Sequence, residues 1–263
     1  MTATPTPRAE AAGAPGGRLE IAVRPGATTP DWSVVTSETV REALGAIFGT
    51  CDWEDRWAGL DPAEDRTRRA ILEAYPRIGQ APSIDDLALT TGFAPDQVRG
   101  LVAKLAARDM VILDRDGATL TGAYPFIDRT TEHRVHLGGA VLNAMCAIDA
   151  LGAGAMLGID AVVESACRSC GAPIRARTRE KGAALADYTP TDAVVWTGIQ
   201  YANGCAADSL CTVMAFFCSS AHLDRWRASQ DSESRGFRLS MDQGLQMGKA
   251  IFMPVLAADS TNH

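Results

Sequence analysis

The chain has 263 residues, of which 46% are hydrophobic and 22% charged, and its formal net charge at pH 7 is −7. This composition is that of a globular protein with a substantial core. The acidic balance speaks against a nucleic-acid partner, because phosphate binding depends on clustered lysine and arginine. The chain has seven cysteines and no basic-then-apolar signal layout at its start, so we expect reduced thiols in a cytoplasmic protein rather than a disulfide framework.

The N-terminal region begins with a stretch that has no periodicity. Residues 1–30 are rich in Ala, Pro, Gly and Thr, which predicts a disordered leader. Apolar residues at helical spacing predict a helix over residues 32–49, with Ser37 as its N-cap. A second helix is expected to start at Asp61, where Pro62 occupies the first helical position, and to run to residue 75.

The next segment has the order of a winged helix. Residues 83–90 and 95–108 are predicted helices joined by a glycine turn, and residues 110–114 and 118–121 flank an Asp-Gly hairpin signal. We therefore expect a winged-helix-like domain over residues 31–124. Such a domain could read DNA or could play a structural or lid role.

Charge favours the structural role for this domain. The window of residues 83–109 contains three basic and four acidic residues. A recognition helix without net positive charge binds phosphate poorly. We therefore expect no nucleic-acid partner.

Residues 125–263 mix strands and helices without a βαβ repeat, which predicts an α+β catalytic domain with a small β-sheet flanked by helices. A helix is expected over residues 136–154. A membrane span from this region is disfavoured, because Asn143, Asp149 and Asp160 interrupt its apolar run. The remaining predicted elements are strands over 159–166, 173–179, 193–199 and 210–219, followed by helices over 220–230 and 240–256.

The predicted helix over residues 136–154 contains a thiol and a carboxyl group at positions i and i+3, Cys146 and Asp149. At this spacing the two side chains lie on one face. A carboxyl group in so apolar a run must be partnered, exposed in a cavity or protonated.

The other cysteines have plainer interpretations. We expect Cys51 to be a small buried side chain packed in the core. Cys167 and Cys170 form a CxxC pair that looks like half of a zinc site, and the only thiols identified as a second pair are Cys205 and Cys211. Packed thiols are favoured over that site, and the four histidines show no ligand spacing.

Three motifs taken in order resemble the organomercurial (alkylmercury) lyases. They are MCAIDAL at residues 145–151, CRSCGAPI at 167–174 and SLCTVMAFF at 209–217. Together with the winged-helix pattern, the resemblance covers roughly residues 35–255.

The resemblance implies catalytic roles for Cys146, Asp149 and Cys211. The two thiolates would bind mercury, and Asp149 would deliver a proton to the leaving carbon and contact the metal. Thiolate is a good ligand for a soft metal, and a carboxyl in apolar surroundings can hold a proton near neutrality. The implied products are hydrocarbon and Hg(II), with small thiols and a mercuric reductase as acceptors of the metal, and with no organic cofactor and no membrane partner. Cys167 matches a non-catalytic cysteine of the family.

Two departures from the family pattern keep other functions open. Thr212 stands where the family often has a second cysteine, and Cys170 stands where it often has a residue without a thiol. The alternatives are a metal-responsive winged-helix regulator, and a relative that acts on another substrate or only sequesters metal.

Overall fold

Antiparallel sheets of two, eight and three strands form the β-structure of this computed structural model, which describes residues 19–230 and 235–257. The α+β class is confirmed, whereas the expectation of one small sheet is wrong. The strands are β1 Ile21–Arg24, β2 Ala27–Thr29, β3 Val111–Leu113, β4 Leu120–Ala123, β5 Phe126–Ile127, β6 Arg134–Leu137, β7 Ala140–Ala144, β8 Val162–Ala166, β9 Pro173–Arg179, β10 Ala184–Thr189, β11 Val194–Gly198, β12 Met214–Phe217 and β13 Gly236–Ser240.

The helices follow the predicted order, with bounds that differ by a few residues. They are α1 Glu38–Thr50, α2 Trp53–Trp57, α3 Pro62–Ile78, α4 Ile84–Thr91, α5 Pro95–Ala107, α6 Ala147–Leu157, α7 Ser220–Arg227 and α8 Met241–Phe252. None of the described helices combines the length and the apolar character needed to cross a membrane.

The N-terminal hairpin β1–β2 corrects the expectation of a disordered leader over residues 1–30. Ile21 and Val23 are buried, and the carbonyl oxygen of Val23 accepts a hydrogen bond from the amide of Leu60 at 2.8 Å. The segment is therefore part of the core. Residues 1–18 lie outside the described residues, so the prediction is untested there.

Local capping signals explain why α1, α3 and α4 begin where predicted. Ser37 accepts a hydrogen bond from the amide of Val40. Asp61 forms a capping box with Glu64 at the start of α3, and Ser83 forms one at the start of α4. Each cap satisfies amide groups that a helix start leaves unpaired.

The helices α3 to α5 and the hairpin β3–β4 are present as predicted, and their likeness to a winged helix stays a prediction. β4 also pairs with β5, so the hairpin is the edge of the eight-stranded sheet, whose order is β10-β9-β8-β6-β7-β5-β4-β3. The expected domain boundary between residues 124 and 125 therefore falls within a continuous sheet.

The expectation of one helix over residues 136–154 is wrong. Gly138 and Gly139 both have positive φ angles, 56° and 95°, and they turn the chain between β6 and β7, which pair antiparallel. Consecutive residues with positive φ are the signature of a tight hairpin turn, and glycine adopts them without steric cost. Helix α6 begins only after this hairpin.

Helix α6 is almost wholly buried. It packs on α8 and contacts β6 and β7 of the large sheet and β12 of the three-stranded sheet. The two helices approach closely where Gly152 faces Gly248, since a Cβ at Gly152 would lie 2.8 Å from the Gly248 carbonyl oxygen. Helix α6 is therefore held between α8, the large sheet and the three-stranded sheet.

Candidate active site

Cys146 follows strand β7 and is the N-cap of α6. Its Sγ accepts a hydrogen bond from the backbone amide of Asp149 at 3.4 Å. Cys146 and Asp149 are 2% and 5% exposed. Cys146 and Asp149 are therefore close together, as their i, i+3 spacing predicted. The spacing joins the N-cap of the helix to its first turn, however, rather than two positions inside the helix.

Cys211 reaches this pair from a different part of the chain. It opens a single 3₁₀ turn that precedes β12, and its amide is held by the Ala206 carbonyl at 2.8 Å. Its Sγ donates to Asp149 Oδ2 at 3.6 Å. The reactive atoms of Cys146, Asp149 and Cys211 all lie within 4.8 Å of one another, and we call these three residues the thiol–carboxyl site.

The predicted strand over residues 210–219 is wrong in its first half. Residues Cys211–Val213 form a 3₁₀ turn, so the strand begins only at Met214. Met214 itself lines the site, with its Sδ 3.7 Å from Cys146 Sγ. A thioether beside two thiols gives the site a soft, polarisable wall.

Burial controls the protonation of the thiol–carboxyl site. Desolvation raises the pKa of Asp149 to about 7, against hydrogen bonds from Cys146 and Cys211 that lower it. Burial also raises the pKa of Cys146, and the hydrogen bond with Cys146, followed by burial, raises the pKa of Cys211. At neutral pH the site therefore has neutral thiols and a carboxyl group that can hold a proton.

The raised pKa of Asp149 predicts a pH-dependent stability difference between the wild type and Asp149→Asn. The unfolded chain releases this proton near pH 3.8 and the folded chain near pH 7, so the wild type loses stability as pH rises through this window. The free energy of unfolding of Asp149→Asn, measured by urea denaturation relative to the wild type, should rise across the window by roughly a few kcal/mol and then level off. A difference that is constant with pH would contradict the assigned protonation state.

A cavity of about 30 Å³ adjoins the three reactive atoms, which is room for about one water molecule. Its lining is almost wholly apolar: Ile47, Trp53, Trp57, Tyr124, Ile148, Ala206, Leu210, Met214, Met247, Ile251 and Phe252. Such surroundings exclude water and strengthen electrostatic interactions within the site.

Asp109 accepts hydrogen bonds that position residues on one side of the cavity. Its carboxylate accepts hydrogen bonds from Tyr124 Oη at 2.8 Å, from the Ala206 amide at 3.0 Å and from Tyr201 Oη at 3.2 Å. Tyr124 Oη in turn accepts from the Ala207 amide at 2.9 Å. The loop that leads into Cys211 is therefore hydrogen-bonded to residues at the two ends of the hairpin β3–β4, since Asp109 precedes β3 and Tyr124 follows β4. Sequence reasoning missed this role, since Asp109 entered only as a charge in the winged-helix window.

Replacing Asp109 with alanine should strongly destabilise the fold. The change leaves several buried donors without an acceptor, and each costs about 1–3 kcal/mol, so we expect a loss of more than about 3 kcal/mol in the free energy of unfolding by urea denaturation. Asp192→Ala is the matched control, because Asp192 is exposed. Equal stability of the two variants would contradict the role of Asp109.

The remaining cysteines divide into packed thiols and a second cluster. Cys51 is buried as expected, and burial raises its pKa to about 12. Cys205 and Cys211, the only candidates from the sequence for a second thiol pair, do not join the CxxC pair of Cys167 and Cys170. Cys205 Sγ instead lies 3.7 Å from Asp208 Oδ2, whereas Cys167 and Cys170 lie close to Cys218 and His222.

The statement that the histidines show no ligand spacing is also wrong for His222. It follows Cys218 by four residues, and its Nδ1 lies 3.3 Å from Cys218 Sγ. This CxxxH spacing was visible in the sequence. We call Cys167, Cys170, Cys218 and His222 the Cys₃His cluster; it shares no residue with the thiol–carboxyl site.

Comparisons with known proteins agree on one family. The family profile MerB, described as alkylmercury lyase, matches residues 126–253. Proteins named alkylmercury lyase from Bacillus cereus and Clostridium butyricum are each 27% identical over 171 residues, which is 65% of this chain and 74% of theirs. A solved structure, the crystal structure of the mercury-bound form of MerB2, is 28% identical and superposes with a TM-score of 0.66, covering 78% of this chain and 97% of that one.

Proposed function

The chain belongs to the alkylmercury lyase family over residues 126–253, and we propose that it cleaves the carbon–mercury bond of an organomercurial by protonolysis. One observation carries the proposal: two buried thiols and a buried carboxyl group converge within 4.8 Å. Two thiolates suit a soft, two-coordinate metal, and the carboxyl group supplies the proton that the departing carbon needs.

The proposed reaction balances with the groups of the thiol–carboxyl site. An organomercurial R–Hg–X, where X is an external thiolate, exchanges X for the thiolate of Cys146, and X leaves with one thiol proton. The second thiol, Cys211, then binds mercury as its proton passes to the ionised carboxylate of Asp149, 3.6 Å away, a form that is populated near neutrality because the pKa of Asp149 is about 7. Protonation of the carbon by Asp149 releases R–H, and Hg(II) remains bound to the two sulfur atoms.

Burial assists the proton transfer in this scheme. The raised pKa of Asp149, about 7, makes it a proton donor matched to neutral pH. Added thiolate donation to mercury raises the electron density on the leaving carbon, so proton delivery becomes easier as the second sulfur binds. Asp149 is also positioned to contact the metal after the proton has left.

Release of the product requires an external acceptor. Small thiols displace protein thiolates from a metal by ligand exchange, as in thiol exchange generally, and a mercuric reductase could take the metal from this site. We propose that the reaction needs no organic cofactor and that the protein acts in the cytoplasm, where thiols stay reduced.

Hydrocarbon release tests the proposal. Purified protein should liberate benzene from phenylmercury, or methane from methylmercury, in the presence of excess small thiol, with many turnovers per chain. Cys51→Ser should retain this activity, because Cys51 lies outside the thiol–carboxyl site. Stoichiometric mercury binding without any hydrocarbon would instead favour a metal-sequestering protein.

A further inference from the structure

The Cys₃His cluster joins two segments that are distant in the chain. Cys167 and Cys170 lie in the turn between β8 and β9, whereas Cys218 follows β12 and His222 lies in the first turn of α7. Cys167 is buried, Cys170 is exposed and the other two are half-buried. We propose that these four side chains bind a structural zinc ion.

The distances between the donor atoms fit a tetrahedral zinc site. Cys170 Sγ lies 3.8 Å from Cys218 Sγ, and His222 Nδ1 lies 3.7 Å from Cys167 Sγ and 3.3 Å from Cys218 Sγ. With zinc–sulfur bonds of about 2.3 Å and zinc–nitrogen bonds of about 2.0–2.1 Å, a tetrahedron separates its donor atoms by about 3.5–3.8 Å. The four atoms therefore surround a space of the right size.

The backbone after Cys167 forms a tight turn. The amide of Cys170 donates a hydrogen bond to the Cys167 carbonyl oxygen at 3.3 Å. Gly171 closes the turn with a φ of 72°, a conformation that favours glycine, and its amide donates to the Cys167 carbonyl at 2.8 Å. A CxxCG turn of this kind aims both sulfur atoms to one side.

The donor set selects the class of metal. Three thiols and one imidazole match the Cys₃His sets of structural zinc sites, in which all four positions come from the protein. Magnesium and calcium prefer oxygen ligands and are disfavoured here. The site is thus closed to substrate, which distinguishes it from the thiol–carboxyl site.

Zinc at this position would brace the segment that carries Cys211. The amide of Arg168, inside the CxxC turn, donates to the Phe216 carbonyl at 3.0 Å, and its guanidinium donates to the Thr212 carbonyl at 3.0 Å. The CxxC turn is therefore hydrogen-bonded both to β12 and to the 3₁₀ turn that precedes β12. A zinc ion bonded to both Cys167 and Cys218 would cross-link the CxxC turn to the residue that follows β12.

The metal content of purified protein tests the proposal independently of lyase activity. Protein expressed in zinc-supplemented medium and purified with a non-chelating reductant should contain about one zinc ion per chain. Cobalt(II) exchanged into the wild type should show the intense visible absorption of a tetrahedral thiolate site. Cys170→Ser should lose the zinc, and since Cys170 is exposed this variant should still fold; Cys205→Ser, outside both clusters, should keep it.

Three results would overturn the proposal. The first is wild-type protein that is fully reduced and yet contains no zinc. The second is a Cys170–Cys218 disulfide in place of the metal. The third is zinc that persists in Cys170→Ser but disappears from the double variant Cys146→Ser/Cys211→Ser. The last result would assign the metal to the thiol–carboxyl site. Failure of hydrocarbon release, by contrast, would leave the zinc measurement unaffected.

Discussion

Cys211→Ser is expected to lower the rate of hydrocarbon release on the order of 10³-fold or more, the scale of loss when a nucleophilic group is removed. A serine hydroxyl is a poor ligand for a soft metal, so mercury would keep one protein sulfur instead of two. The carbon–mercury bond would then lack the second donor that makes the carbon basic. The measurement is benzene release from phenylmercury with excess thiol, followed by gas chromatography.

Cys51→Ser provides the matched control for this loss. Cys51 is also a buried thiol, but it is absent from the thiol–carboxyl site, so its replacement should leave the rate within a few-fold of the wild type. Cys146→Ser should match Cys211→Ser. Full activity of Cys211→Ser would contradict the two-thiol mechanism.

Asp149→Asn is expected to separate mercury binding from bond cleavage. Both thiols remain, so the variant should still bind an organomercurial. Without the carboxyl group no proton donor lies beside the carbon, and the rate of hydrocarbon release should fall by about 10²- to 10⁴-fold. Single-turnover release of benzene, with bound mercury measured in the same samples, distinguishes the two steps.

The control for Asp149→Asn is Asp242→Asn. Asp242 is likewise an acidic residue in the first turn of a helix, α8, but it is exposed. It should cleave phenylmercury at the wild-type rate. If Asp149→Asn also cleaved at that rate, the proton would have to come from another donor, such as a thiol or water.

Local signals in the sequence were sufficient to predict much of the helical framework. Ser37, Asp61 and Ser83 are caps whose hydrogen bonds are made within three residues, so no distant contact is needed to specify them. The hairpin β3–β4 was predictable for the same reason, since its turn is set by the chain between the strands.

The segment over residues 136–154 shows where local reasoning failed. An apolar run suits a helix as well as a buried strand, and the Gly138-Gly139 pair within this run was the signal for a hairpin. The relation of Cys146 to Asp149 was nevertheless predictable, because an N-cap side chain also lies beside the third helical residue. Resemblance, rather than periodicity, identified Cys211.

The Cys₃His cluster depended on contacts that no local pattern encodes. The CxxC turn meets Cys218 because the Arg168 amide pairs with the Phe216 carbonyl, which joins parts of the chain that are far apart in sequence. The CxxxH spacing of Cys218 and His222 was visible but had no partner until the fold supplied one. Asp109 is a similar case, since its acceptor role arises only when Tyr124 and the 201–206 loop converge on it.

The chain thus offers mercury two groups of thiols, and the position of the metal after turnover distinguishes them. The most direct test is a crystal structure of the wild type incubated with phenylmercury, in which anomalous scattering locates mercury. We expect a mercury ion bonded to the sulfur atoms of both Cys146 and Cys211, beside the carboxyl group of Asp149. Mercury found only in the Cys₃His cluster, with none between Cys146 and Cys211, would contradict it.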